Sequence, residues 1–109
     1  MLTQRPAKKV TIYLNEDVKY HHGLLYQAVM RFLLEKGVAG ATAIRCLSGF
    51  GSHHQMHTPK FEALAEHLPI RIEFVDAPER VDALLPELGE IVTDGLIAVQ
   101  EVTVMLRNA

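Results

Sequence analysis

The sequence predicts an α+β domain whose strands and helices follow one another in the order β-α-β-β-α-β. Several short segments alternate apolar with polar residues, which is the period of a half-buried strand. Two longer segments repeat apolar residues at intervals of three and four, which is the period of an amphipathic helix. With 109 residues, of which 49% are hydrophobic and 22% charged, the chain is suited to one globular domain, 1–109.

The first quarter of the chain supplies the first strand and the first helix. We expect residues 1–7 to form a flexible arm. Apolar and polar residues then alternate over residues 9–15, which predicts a strand. A helix is predicted from about Tyr20. Gly37 follows it as a C-terminal cap, because glycine adopts positive φ without steric cost. The apolar face of this helix consists of Leu24, Leu25, Ala28, Val29, Phe32 and Leu33.

The middle of the chain holds the second and third strands and the segment between them. Residues 42–48 predict a strand that leads into a run rich in glycine and histidine. The spacing within residues 61–68 suggests a short helix, which Pro69 ends. Residues 70–75 alternate again and predict the third strand.

The last part of the chain predicts a second helix and a fourth strand. Asp76 and Glu79 are spaced as a capping box at the start of this helix. Pro86 lies inside the helix, where it removes one backbone hydrogen bond, and Gly95 closes the segment. The fourth strand is predicted from the alternation of Val102, Val104 and Leu106 with their neighbours.

These elements predict the ferredoxin-like arrangement, a four-stranded antiparallel sheet with both helices on one face. Two helices that each have a single apolar side cannot cover both faces of such a sheet. The opposite face would carry Tyr13, Leu47, Val75 and Met105, which are too apolar for open water. We therefore hypothesise that this face is buried between subunits.

Composition and charge exclude several classes of function. The net charge of -2 provides no basic surface for nucleic acid. No apolar run approaches the roughly 20 residues that span a bilayer, so direct membrane insertion is not expected. A single cysteine, Cys46, excludes an intramolecular disulfide and favours a cytoplasmic location. The sequence also lacks a nucleophile elbow and a close pair of carboxylates in a plausible pocket, so we expect no enzymatic activity.

The end of the second strand carries the candidate ligand-binding residues. Arg45 lies among apolar neighbours and requires a partner, either Glu73 on the third strand or an anion bound at a subunit cleft. Gly49 and Gly51 could form an amide nest for an anion, or they could let the strand leave the sheet through a bulge. Phe50, between these glycines, is either an anchor for the loop base or an exposed contact for a partner.

Three histidines in the next segment form a candidate metal site. His53, His54 and His57 have the i, i+3 and i, i+4 spacing of one helical face, and imidazole is a common ligand of zinc, copper and nickel. In an oligomer His21 or His22, which open the predicted first helix, could join them. The spacing matches no standard metal motif and no carboxylate lies nearby, so plain solvated histidines are the alternative.

Residues spread from about Lys8 to Leu106 resemble one known bacterial family. They are Gly40-Ala41-Thr42, Arg45, Gly49-Phe50-Gly51, His57-Thr58, Leu68-Pro69, Glu73, Val75-Asp76 and Gly95-Leu96. The family is domain of unknown function 190, which is similar to the PII-like superfamily of nitrogen-regulatory PII and divalent-cation tolerance proteins. The resemblance implies a homotrimer with its sheets facing inward. It also implies that residues 49–66 correspond to the mobile T-loop through which PII proteins contact partners.

The resemblance implies a PII-like signalling protein that binds a small ligand at subunit clefts, with an adenine nucleotide or a divalent metal as candidate ligands. A protein partner such as a membrane transporter would be contacted through residues 49–66. The site residues implied are Arg45, Gly49, Phe50, Gly51, His57 and Thr58. The chain departs from PII proteins at residues 93–98, where their phosphate-binding loop carries a lysine that is missing here. The alternative function is divalent-metal binding through His53, His54 and His57.

Overall fold

The computed structural model describes residues 1–50 and 68–107, which form an α+β structure. Four of its strands make an antiparallel sheet in the order β4-β5-β1-β6, and β2 and β3 make a separate hairpin. The elements are β1 Leu2–Asn15, β2 Lys19–Tyr20, β3 Gly23–Leu24, α1 Leu25–Glu35, β4 Ala41–Arg45, β5 Pro69–Asp76, α2 Pro78–Ile91 and β6 Leu96–Arg107. The predicted fold class is confirmed.

The core lies between one face of the sheet and the two helices. Ile12 of β1 stands opposite Ile72 of β5, and both side chains are fully buried. Both helices supply their apolar sides to this same face, as the one-sided helical patterns predict. The remaining buried residues of the core cluster are Val10, Leu14, Leu25, Val29, Phe32, Leu33, Ile70, Phe74, Val81, Leu84 and Leu88.

The flexible arm predicted for residues 1–7 is wrong, because β1 begins at Leu2. Residues 2–7 pair with residues 102–107 of β6, with Leu2 opposite Arg107. The pairing of β1 with β5 reaches only as far as Lys8, opposite Asp76. Residues 2–7 and 102–107 therefore form a two-stranded extension of the sheet, here called the terminal ribbon. Its first strand lacks the apolar alternation of a half-buried strand, so the sequence pattern does not reveal it.

The predicted start of the first helix at about Tyr20 is also wrong. Residues 19–24 form the β2–β3 hairpin, in which Tyr20 pairs with Gly23. His21 adopts a φ of 55° at the turn, so the two adjacent histidines lie in a hairpin and do not open the helix. The helix begins only at Leu25, whose backbone N–H donates to the carbonyl of Val18 over 2.8 Å.

The predicted cap of α1 at its C-terminal end is confirmed, whereas the predicted N-terminal cap of α2 is not. Gly37 has the positive φ, 74°, expected of a C-terminal cap. The capping box predicted for Asp76 and Glu79 is wrong, because Ala77 is the N-cap residue and Pro78 occupies the first turn. The Asp76 carboxylate instead accepts a hydrogen bond from the Ala77 N–H and pairs with Arg80 at 3.2 Å.

The sheet face away from the helices, here called the outer face, differs in part from its predicted composition. Tyr13 and Val75 lie on the outer face, since their side chains point away from the face that buries Val10. Met105 pairs with Gln4, which puts it on the same side of the sheet as Val10. Leu47 lies beyond the end of β4. Tyr13 is 47% exposed, so the outer face presents apolar surface to water in the single chain.

Candidate functional site

Backbone hydrogen bonds close the base of the loop that joins β4 to β5. The N–H of Cys46 donates to the carbonyl of Pro69 over 2.8 Å, and the N–H of Glu16 donates to the carbonyl of Leu68 over 2.9 Å. A Cβ atom added at Gly49 would lie 3.3 Å from Cγ of Pro69. The chain leaving β4 and the chain entering β5 are thus held together beside the end of β1.

Arg45 points from β4 into this loop base and pairs with Glu16. Its Nε and Nη2 donate to one carboxylate oxygen of Glu16 at 3.2 and 3.0 Å. The predicted ion pair with Glu73 is wrong, because Arg45 lies opposite Ile70 whereas Glu73 lies opposite Thr42, on the other face of the sheet. The side chain of Arg45 is 49% exposed and that of Glu16 only 18%, so the pair lies at the surface with its carboxylate the more buried partner.

Two of the other predicted site residues lie in the part of the chain that the structure describes. Gly49 contacts the loop base, and Phe50 beside it leaves 64% of its surface exposed. The remaining predicted residues lie outside the described residues: Gly51, His53, His54, His57 and Thr58. All of the helix suggested for 61–68 except Leu68 lies outside them as well.

Glu73 forms its ion pairs on the outer face of the sheet. It lies 2.9 Å from Nε of Arg71 and 3.7 Å from Nζ of Lys9. Nε of Arg71 is buried, yet its contact with Glu73 is not aligned as a hydrogen bond. The outer face therefore combines exposed apolar surface, as at Tyr13, with charges that are already partly paired.

The β2–β3 hairpin and the first turns of α1 border a shallow cleft that sequence reasoning missed. Its volume is about 350 Å³. Most of its polar groups belong to His21, His22, Gln27 and Arg31, and none of its lining residues among those described carries a carboxylate. The rings of Tyr20 and His21 meet edge to face at 4.4 Å. Over residues 1–50 and 68–107, no three side chains of His, Cys, Asp or Glu come together as a metal site.

A second feature missed from the sequence is a groove where the terminal ribbon leaves the body, with Lys8 and Glu101 among its lining residues. Nζ of Lys8 bonds to Asp82 over 2.7 Å, and this hydrogen bond, together with the charges of Asp82 and Glu101, raises the pKa of Lys8. The groove has a volume of about 400 Å³ and is otherwise lined mainly by apolar side chains such as Pro6 and Pro78. No helix within the described ranges has the length and hydrophobicity needed to cross a bilayer.

Comparison with known sequences identifies one family. The family model DUF190, described as "Uncharacterized ACR, COG1993", matches residues 7–104. A UPF0166 protein from Methanocaldococcus jannaschii is 34% identical over 96 residues, which cover 87% of this chain and 88% of that protein.

Comparison with solved structures identifies PII-like proteins. CPII, a nitrogen regulatory PII-like protein from Thiomonas intermedia K12 bound to ADP, AMP and bicarbonate, superimposes with a TM-score of 0.72 and 26% identity. The alignment covers 94% of this chain and 91% of CPII. CPII bound to ADP and bicarbonate gives a TM-score of 0.70 and 27% identity over the same shares of the two chains.

Proposed function

The chain belongs to the DUF190 family, and on that premise we propose that it is a PII-like regulatory protein. It binds a small ligand at clefts between the subunits of a homotrimer. An adenine nucleotide is the ligand class we propose, because CPII, which is similar over nearly the whole chain, was solved with ADP and AMP. The ligand acts on residues 49–66, which in turn contact a partner protein such as a membrane transporter.

The observation that carries this proposal is the position of the Arg45–Glu16 pair. Arg45 ends β4, immediately before the loop, and Glu16 bonds through its own backbone N–H to Leu68, where the loop returns. One ion pair thus contacts both ends of the loop. A phosphate or carboxylate that took the place of Glu16 on the guanidinium would disturb the second contact as well, and this is a direct route from ligand to loop.

The Arg45–Glu16 pair also predicts the sign of two substitutions. Glu16 already holds the guanidinium through one carboxylate oxygen, so a ligand anion must compete with it. Glu16→Gln removes that competition and should raise the affinity for the nucleotide. Arg45→Gln removes the cation and should abolish binding of its phosphate groups. Arg31→Gln, on α1 and outside the loop base, is the matched control that should change neither.

The test is thermal melting of the full chain with ADP, AMP or ATP, each with and without a divalent metal. A ligand that binds only the folded state stabilises it by about 2.7 kcal/mol at a hundred times its Kd. We expect a rise in Tm with a nucleotide that is larger for Glu16→Gln and absent for Arg45→Gln. Nucleotide shifts that are equal in all three variants would contradict the role of this pair.

Melting with metal ions alone distinguishes nucleotide sensing from the alternative function, which is divalent-metal binding. A rise in Tm with zinc, copper or nickel alone, lost in His53→Ala or His57→Ala, would favour divalent-metal binding over nucleotide sensing. For the regulatory function we expect His57→Ala to alter the protection of residues 49–66 from proteolysis when ligand is added, with the trimer intact. Unchanged proteolysis and unchanged ligand binding would count against a role for His57.

A further inference from the structure

We propose that the cleft between the β2–β3 hairpin and α1 binds a small oxyanion with two negative charges, of the class of inorganic phosphate, through His21, His22 and Arg31. The inference goes beyond the proposed function, since it involves neither the loop base nor a contact between subunits. This cleft and the Arg45–Glu16 pair are built from different side chains, so each can be tested without the other.

The polar side chains of the cleft are hydrogen-bond donors that favour an anion. Arg31 lines it from α1, and His21 and His22 line it from the hairpin. Gln27 lies one turn before Arg31 on the same side of the helix and adds an amide N–H. None of the described lining residues carries a carboxylate, so the cleft provides no counter-charge of its own. A bound anion would supply it.

The guanidinium of Arg31 is not used by the fold that the structure describes. Across residues 1–50 and 68–107, the ion pairs and side-chain hydrogen bonds do not involve it. Arg80 on α2 provides the contrast, because it donates to the carbonyls of Lys36 and Gly37 and pairs with Asp76. Arginine has five N–H donors and binds oxyanions in preference to other partners, so Arg31 is suited to a ligand.

The hairpin holds His21 in a conformation that glycine would adopt more easily. Tyr20 pairs with Gly23, so His21 and His22 are the two central residues of the turn. Of these two, only His21 has a positive φ, 55°, which is the φ pattern of a type II′ turn with its preference for glycine at the first position. Strain of this kind tends to persist where the side chain has a function.

The size of the cleft favours a small anion over a nucleotide. Pockets for organic ligands range from about 300 to 1,000 Å³ and enclose most of the ligand surface. This cleft is shallow and has a volume of about 350 Å³, at the lower end of that range. An oxyanion needs only a few converging donors, and two imidazoles with one guanidinium supply them.

Protonation of the two imidazoles should strengthen the binding of an anion. Imidazole side chains take up a proton between about pH 8 and pH 5, and each proton adds a positive charge to the cleft. The hairpin packs against α1. The titratable or charged groups of these elements that line the cleft are Tyr20, His21, His22 and Arg31. Those that do not line it are Lys19, Tyr26 and Glu35.

NMR titration of the full chain with sodium sulfate tests the site, with the ionic strength held constant by sodium chloride. Sulfate keeps both negative charges over this pH range, so a pH dependence belongs to the protein. We expect the amide resonances of residues 20–28 to shift, with tighter binding at about pH 6 than at about pH 8. At the lower pH, Arg31→Gln and His22→Ala should each weaken binding by about tenfold or more, the loss expected for a hydrogen bond to a charged group. Arg5→Gln, on β1 and outside the cleft, is the matched control and should bind like the unchanged chain.

His21→Gly separates a ligand-binding histidine from one that serves only the turn. Glycine adopts the positive φ without strain, so the variant should melt no lower than the unchanged chain. It lacks the imidazole and should bind sulfate less tightly. Unchanged sulfate affinity in His21→Gly would show that the side chain serves only the turn and would overturn its role in the site.

Titration with AMP distinguishes a free oxyanion from the phosphate group of a nucleotide. We expect AMP to shift resonances around Arg45, with its binding lost in Arg45→Gln while sulfate binding at the cleft is retained. If AMP binding is instead lost in Arg31→Gln and retained in Arg45→Gln, the nucleotide phosphate occupies the cleft and the separate anion site falls. Sulfate shifts that are equal in all variants would overturn the inference and leave the proposed function intact. Sulfate binding at the cleft without any nucleotide binding would have the opposite result.

Discussion

The two ends of β1 differ in how many contacts the rest of the chain makes with them. At the Asn15 end, backbone hydrogen bonds and the Arg45–Glu16 pair tie the neighbouring segments together. At the Leu2 end, the strand continues past its second neighbour, β5, and carries exposed apolar residues. One strand thus provides a closed base for the loop at one end and an open surface at the other.

The difference concerns how firmly each end of the strand is held. Backbone hydrogen bonds fix the Asn15 end, whereas side chains at the Leu2 end are largely exposed. We therefore expect substitutions that disturb the packed backbone near Asn15 to destabilise the fold, and substitutions of exposed side chains in the ribbon to change the stability of the single chain little.

The largest expected effect compares the core with the ribbon. Ile72→Ala removes a side chain that is fully buried beneath both helices, so it should lower the free energy of unfolding by about 2–5 kcal/mol. Leu106→Ala removes a half-exposed side chain and should change the stability of the monomer by less than about 0.5 kcal/mol. Urea unfolding at several protein concentrations measures both. A cost for Leu106→Ala that equals that of Ile72→Ala and is independent of concentration would remove the distinction between the two regions.

A medium effect is expected at the loop end, where the backbone is closely packed. A Cβ atom at Gly95 would lie 2.6 Å from the carbonyl oxygen of Tyr13, so Gly95→Ala should destabilise the fold by about 1–3 kcal/mol. Gly89 lies inside α2 with nothing near its missing Cβ. Gly89→Ala is therefore the matched control and should stabilise by about 0.5–1 kcal/mol. Equal effects of the two alanines in urea unfolding would contradict the close packing.

The smallest effect concerns the charge at the root of the ribbon. The pKa of Lys8 lies above its ordinary value of 10.5, because Asp82 stabilises the charged amine. This contribution to stability is complete below the pKa of the unfolded chain and is lost as pH rises through the higher folded value. NMR titration of the Lys8 side chain should give a lower midpoint in Asp82→Asn. Glu87→Gln, which removes the partner of Lys36, should leave that midpoint unchanged.

The sequence predicts the parts of the fold that depend on apolar periodicity. Ile12, Ile72, Val29 and Leu88 lie in the core because their spacing matches the strand or helix that contains them. The first strand of the ribbon was not predicted because residues 2–7 lack the apolar alternation of a half-buried strand, and the β2–β3 hairpin was not predicted either. Residues 20–23 continue smoothly into the helical pattern that follows, and only the positive φ of His21 and the pairing of Tyr20 with Gly23 mark the hairpin.

The partner of Arg45 could not be predicted from the sequence. Glu73 or a bound anion was expected, whereas the structure pairs Arg45 with Glu16, because the strand register places Glu73 on the other face of the sheet. A shift of one residue moves a side chain to the other face of a sheet, and periodicity alone does not give the register. The groove beside the ribbon joins β1, β6 and the start of α2, and such a combination of distant segments has no local signature in the sequence.

The pairing of β1 with β6 has a consequence for the order in which the molecule forms. It joins Leu2 to Arg107, and β1 lies between β5 and β6 in the sheet. During synthesis the first strand must therefore wait for β5 and then for β6 before both its neighbours exist. Contacts between residues so distant in sequence slow folding, because a long loop must close before they form. We expect the nascent chain to need protection from aggregation until its last strand is made.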